Sequence, residues 1–329
     1  MNKFLAVLTL IFTTYLSTFG YTKKIEYLKN PKTNAEVHIF YDFHADEKFP
    51  GQVKQQVQEI IEAAQQKNAH IIIENTFDYH GKHTLVKQDL AFFKYMRKAL
   101  LLRDVQDLAH KNKISIENVE YRQDREYSVN ENRLSAHDAL DPVSEALKAV
   151  KNFKGDVLRE YYQEVINDIE PIHQEIIKLF KPNQSIFKQL PNKNIQTKLG
   201  EIKKELPTDC ADMQNGDVVL YYDARLLNPL IVDSIYEKQV ANDKHSCIFV
   251  IAGSYHAFEI SNVLQMQLNY QLVKEGGTDQ GAFIPAASKI ELAQIKQFFN
   301  DNLTSNAPVA VPDIKQHLSH LFAPSYLII

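Results

Sequence analysis

The stretch VHIFYDFHADEKFPGQVKQQVQEIIEAAQQKNAHIII, Val37 to Ile73, sets the fold class. It opens on a short β-rich run, Val37 to Tyr41, and passes through Asp42-Phe43-His44-Ala45-Asp46 to the breaker pair Pro50-Gly51. Val53, Val57, Ile60, Ile61 and Ala64 then recur at helical spacing with Gln and Lys opposite, the signature of an amphipathic helix. Ile71-Ile72-Ile73 is unrelieved apolar sequence, as in a strand covered on both faces. Strand, helix and strand in succession make a βαβ unit, whose strands run parallel and whose connection is right-handed.

Outward from this unit the pattern recurs. A helix is expected across Leu85 to Asn112, and a third strand across Ile114 to Tyr121. Val218 to Val240 reads as helical, with Pro229 expected to kink or interrupt it. Cys247-Ile248-Phe249-Val250-Ile251-Ala252 is a second buried-strand run, followed by helical periodicity from Ala257 to Leu268 and a further strand at Tyr270 to Val273. The expected architecture is α/β: a mainly parallel central sheet flanked by helices. Between about His137 and Leu206 the sequence has helical periodicity and no strand signal, with breaks expected near Pro171, Pro182 and Pro191. That segment reads as a helical insertion or cap within a single domain spanning 21–329; such a cap can roof a ligand site, or the helices can form a peripheral, stabilising bundle.

The first twenty residues carry Lys3, an uncharged run from Phe4 to Phe19, and Gly20, which reads as a signal peptide. The alternative is an uncleaved anchor, although the run is short for a membrane span. The expectation is therefore a secreted or periplasmic protein with no stable membrane span after cleavage. With 37 Lys and Arg against 41 Asp and Glu, the net charge is -4. This lacks the basic excess of a nucleic-acid or anionic-membrane binder, and the expected partner is a small-molecule or peptide substrate. The two cysteines, Cys210 and Cys247, build no disulfide scaffold. Export makes a bond between them chemically possible, while the apolar run that Cys247 opens equally suits a buried thiol.

In open α/β sheets, ligands sit beyond the carboxyl ends of the strands. That rule selects Asp42, His44 and Asp46 after the first strand, Glu74 after the second, Glu120 and Arg122 after the third, and Gly253-Ser254-Tyr255-His256 after the late one. Two imidazoles and a carboxylate at one rim suit a divalent metal such as Zn, Mn or Co. They suit metal-free hydrolysis equally, with histidine as base and carboxylate as orienter. Glu74 ends a triple-Ile strand, where an unpaired carboxylate would be costly. Arg225, next but one to Asp223, is a candidate clamp for an anionic group or a structural ion pair.

Val37 to His44, Ile71 to Glu74 with Asn75, and Phe249 to His256 with its Gly-x-x-His ending together resemble a superfamily. It joins TraB- and TIKI-type putative metalloproteases, erythromycin-esterase-like hydrolases and ChaN-like haem-binding proteins. Asp223-Ala224-Arg225 is similar to an acidic-x-Arg element upstream of the second histidine, and Asn269 to Val273 to the closing strand. Tyr41 stands at the glycine position of the first Gly-x-x-His. The resemblance covers the α/β halves and leaves the segment from His137 to Leu206 without a counterpart. It implies a hydrolase acting on a peptide or ester bond, with His44, Glu74 and His256 catalytic and able to hold a metal, and with Arg122, Arg225, Glu120 and Tyr255 near the substrate. The alternative it implies is a ChaN-like protein that binds haem or another planar ligand without turnover, through Tyr41, Tyr79 or Tyr255. A third reading is an exported interaction protein whose site has decayed.

Overall fold

The computed structural model describes residues 22–42, 50–74, 100–121, 135–206, 215, 218–241, 245–277 and 298–299. Six strands form one sheet: β1 (Thr22–Lys29), β2 (Glu36–Asp42), β3 (His70–Ile73), β4 (Ile116–Asn118), β5 (Cys247–Gly253) and β6 (Gln271–Gly277). Their order is β4-β3-β5-β2-β1-β6. β2 pairs parallel with β5, and β3 pairs parallel with both β5 and β4. β1 runs against β2 and β6, so it is the single reversed strand among those described. The fold is α/β with a mostly parallel sheet, and the carboxyl ends of β2, β3, β4 and β5 share one rim.

Both faces of the sheet are covered, which is why β5, at its centre, is apolar throughout and buried at all seven positions. Residue alternation assigns its side chains to the two layers. Phe249 and Ile251 join Phe40, Ile71 and Ile73 under α1 (Pro50–Lys67) and α2 (Leu100–Lys111). Ile248, Val250 and Ala252 join Val37, Ile39 and Ile72 in a second, larger cluster. Its helices are α3 (Ala136–Lys151), α4 (Arg159–Leu179), α5 (Lys193–Glu205), α6 (Leu227–Tyr236) and α7 (Ser254–Gln267). The segment expected to be an insertion thus shares one continuous core with the sheet and covers one of its faces, helping to bury that face.

Two local expectations change, and one strand is new. Pro171 does not break α4, which runs through it, because Val165, Ile166, Ile169 and Ile176 anchor the helix on both sides of the proline. Pro229 lies in the first turn of α6, where a missing N–H costs little. The interruption comes earlier, at the 3₁₀ turn Ala224–Leu226. β1 itself has no counterpart in the sequence reading. Its Lys24 and Glu26 are buried and satisfy each other at 2.6 Å, while Lys24 also reaches Glu275 at 3.1 Å. The first expected strand, the βαβ unit and the late strand stand close to their anticipated positions. The third strand is shorter, and α2 is described only from Leu100. No helix among the described residues is long and apolar enough to cross a membrane. Residues 1–20 lie outside the described residues.

Where α4 meets α6, the Tyr162 hydroxyl donates to Asp233 Oδ1 at 3.2 Å. Burial pushes the Asp233 carboxyl up to about 6; Glu237 and Glu117 add to the effect, and Tyr162 and Lys238 oppose it. The folded protein therefore holds this proton above the pH at which the unfolded chain releases it, near 3.8. Stability is lost as pH rises through that interval. Asp233→Asn keeps the acceptor for Tyr162 and removes the cost. Urea titrations are expected to show a gain of about 1 kcal/mol at pH 7, after discounting for partial solvent screening, and none at pH 3. An equal gain at both pH values would disprove the linkage.

Candidate active site

Glu74 follows β3 directly, and its backbone N–H continues the ladder by donating to the Ile251 carbonyl at 3.2 Å. Its side chain, 2% exposed, turns across the rim. Oε2 accepts from the Gly253 N–H at 2.9 Å, and Oε1 lies 3.7 Å from His256 Nε2. β5 ends at Gly253, and α7 starts at Ser254 without an intervening loop. This abrupt junction puts His256 in the first turn of α7, 7% exposed. The junction is tied to β2 as well, because Ser254 Oγ donates to the Asp42 carbonyl at 3.0 Å. The ends of β2, β3 and β5 are therefore joined by hydrogen bonds at the rim where Glu74 and His256 meet.

Behind His256 lies a polar relay that the sequence reading did not contain. His256 Nδ1 is 2.6 Å from Asn228 Oδ1, and Asn228 Nδ2 donates to Glu259 Oε2 at 2.6 Å. Glu259 Oε1 accepts from Arg225 at 3.3 Å, and Arg225 also pairs with Asp168 of α4. Burial pushes the Glu259 carboxyl up, while the Arg225 guanidinium and the Tyr255 hydroxyl pull against that shift. An ionised Glu259 can only accept, so the Asn228 amide must turn its NH₂ toward it and its oxygen toward His256. Nδ1 then carries the imidazole proton, and Nε2 presents its lone pair to Glu74. Arg225 and Asn228 lie on either side of the junction between the 3₁₀ turn and α6, whereas His256 and Glu259 are three residues apart on α7, one helical turn. That spacing is the signal by which Glu259 could have been found; Asn228 left no such sign.

The expected site residues divide accordingly. Glu74 and His256 come together. Glu120 is buried two residues beyond β4 at the same rim, and its N–H donates to Asn118 Oδ1 at 3.2 Å. Tyr121 beside it donates to the Asp223 carbonyl and to Asp223 Oδ2, both at 2.9 Å. Arg225 holds two acidic residues, Asp168 and Glu259, and braces the relay. Tyr255 is 47% exposed, and its ring packs edge-on to His256 with centroids 5.5 Å apart. Tyr41, 1% exposed, is packed into the larger core cluster, which withdraws it as an axial ligand for haem. His44, Asp46, Tyr79 and Arg122 lie outside the described residues. Cys247 is a free, buried thiol.

A neutral Nε2 and a carboxylate oxygen both accept hydrogen bonds, and here they face each other. Such a pair can bind something electropositive between or beside its members: a proton, the hydrogens of a water molecule, or a cation. Two ligands held ~2.1 Å from a tetrahedral ion stand ~3.4 Å apart, so the separation of 3.7 Å fits a shared ion after a small rotation. Comparison of the chain with protein-family models, with curated proteins and with solved structures finds no match in any of the three.

Proposed function

We propose that the chain is an exported hydrolase that activates water at the carboxyl rim of its sheet, with His256 and Glu74 as the working pair and His44 as the third member of the centre. The observation that carries this reading is the 3.7 Å approach of His256 Nε2 to Glu74 Oε1, with Nδ1 anchored on Asn228. In the proposed reaction, Nε2 takes a proton from water as the oxygen attacks an ester or peptide carbonyl, then returns it to the leaving group. Glu74, held by the Gly253 N–H, stabilises the imidazolium formed in between. Asn228 keeps the ring in the tautomer this role demands. Tyr255, exposed beside the imidazole, is the proposed substrate contact.

The donor set at the rim also fits a divalent ion of the Zn, Mn or Co class, which His256, Glu74 and His44 would hold. Such an ion, when bound, lowers the pKa of water from about 15.7 toward about 7. The kinship proposed with the TraB/TIKI and erythromycin-esterase-like hydrolases rests on the same residues.

The test is to assay the full chain against activated esters and short peptides, before and after chelation and after restoring Zn, Mn or Co. Turnover is expected on one of these bond classes, and His256→Ala is expected to abolish it. A protein inert across both panels that develops a Soret band on haem titration would replace the hydrolase with the ligand-binding reading.

A further inference from the structure

At the opposite rim, where β2 and β5 begin, a second cluster faces α1. Glu36 and Cys247 are register partners across the parallel pair, and His38 is two residues along on the same side of β2. One ligand atom from each residue lies within 4.8 Å of the other two, and His38 Nε2 stands 3.6 Å from Glu36 Oε2. His38 is wholly buried, and among the described residues its ring nitrogens make no full hydrogen bond, Glu36 Oε2 standing just beyond bonding distance at 3.6 Å. The other buried histidines described differ: His70 meets Ser115 Oγ at 2.7 Å, His173 meets Ser144 Oγ and Tyr222, and His256 meets Asn228.

An orphaned buried polar group costs about 1–3 kcal/mol and needs a physical reason. The packing around His38 suggests one. Tyr27 stacks on the imidazole at 4.6 Å with planes 7° apart, and Phe249 meets it edge-on at 5.1 Å. Its orientation is therefore fixed by aromatic contacts, and what it can still offer is an in-plane lone pair. Burial holds the ring neutral, pushing its pKa down to about 4, and keeps the Cys247 thiol protonated by pushing it up to about 12.

We propose that Glu36, His38 and Cys247 form a binding site for a zinc-type divalent ion, independent of the His256 and Glu74 rim. Thiolate, imidazole and carboxylate are the usual donors to zinc, and three protein ligands leave a fourth position for water. Lys67, at the end of α1, pairs with the carboxylate, its ammonium 2.9 Å from Glu36 Oε2. Its side chain is only partly buried, so the ammonium can swing to solvent when a metal takes its place. The Tyr27 hydroxyl, which donates to Glu36 Oε1 at 3.0 Å, then steadies the ligating carboxylate from behind.

Cobalt(II) titration of chelator-treated full-length protein tests this, because a thiolate ligand produces a sulfur-to-cobalt charge-transfer band that a His and Glu site does not. One cobalt per chain with that band is the expected result, with loss of the band in Cys247→Ala and in His38→Phe, which keeps the aromatic packing. Folding of each variant is checked by circular dichroism. Folded wild-type protein without the band overturns the proposal. So does a band that survives in Cys247→Ala, since Cys210 would then be its source.

Discussion

Glu74→Gln is expected to lower kcat/KM by about a hundredfold to ten-thousandfold, the range associated with loss of one acid-base partner. Folding stability should stay within about 1 kcal/mol of wild type. The asymmetry follows from the two oxygens of the side chain. Oε2 has a structural task, accepting the Gly253 N–H at 2.9 Å, and a glutamine carbonyl can take it over. Oε1 faces His256 Nε2 at 3.7 Å, and in the proposed reaction its negative charge stabilises the imidazolium. Glu74→Ala separates the tasks. It removes both, so the Gly253 N–H is left buried without this acceptor, at an additional cost of about 1–3 kcal/mol. Steady-state kinetics beside urea midpoints read the two effects separately. A glutamine variant with activity within twofold of wild type would show that the charge does no chemistry.

The parallel strands were legible because their physics is local. A strand buried on both faces must be apolar throughout, and Ile71-Ile72-Ile73 and Cys247 to Ala252 meet that condition. The rule that ligands lie beyond carboxyl strand ends then pointed to Glu74 and His256, which the structure brings together. β1 was illegible for the converse reason. Lys24 and Glu26 give it the composition of an exposed segment, and their pairing with each other, with Glu275 reaching Lys24 and Ser261 donating to Glu26, lets the strand be buried. The segment from His137 to Leu206 showed its helices but not their role. Periodicity reports that a helix has an apolar face, not which surface that face covers. Tyr41 illustrates the same limit, since strand alternation leaves open whether a given side chain faces a site or the core.

Asn228 was the least readable member of the site, a polar residue before a proline in the mostly apolar first turns of α6, and its substitution should have two separable consequences. Asn228→Leu has similar bulk but leaves His256 Nδ1 and Glu259 Oε2 without this partner. Two buried groups losing hydrogen bonds cost about 2–4 kcal/mol together, and an imidazole free to change tautomer should lose activity as well. Asn228→Asp acts through charge. Its carboxylate still accepts from Nδ1, but it lies where Asn228 now approaches Glu259 Oε2 to 2.6 Å, so the two acids must share a proton. The shared proton leaves the pair with one negative charge, as Glu259 carries now, but part of that charge moves onto the new carboxylate beside Nδ1; this favours the imidazolium, and His256 then reaches its basic form only at higher pH. The acidic limb of the kcat/KM profile should therefore move upward by about one pH unit. A purely structural asparagine predicts lower stability in both variants with the limb unmoved, and that outcome would remove Asn228 from the working site.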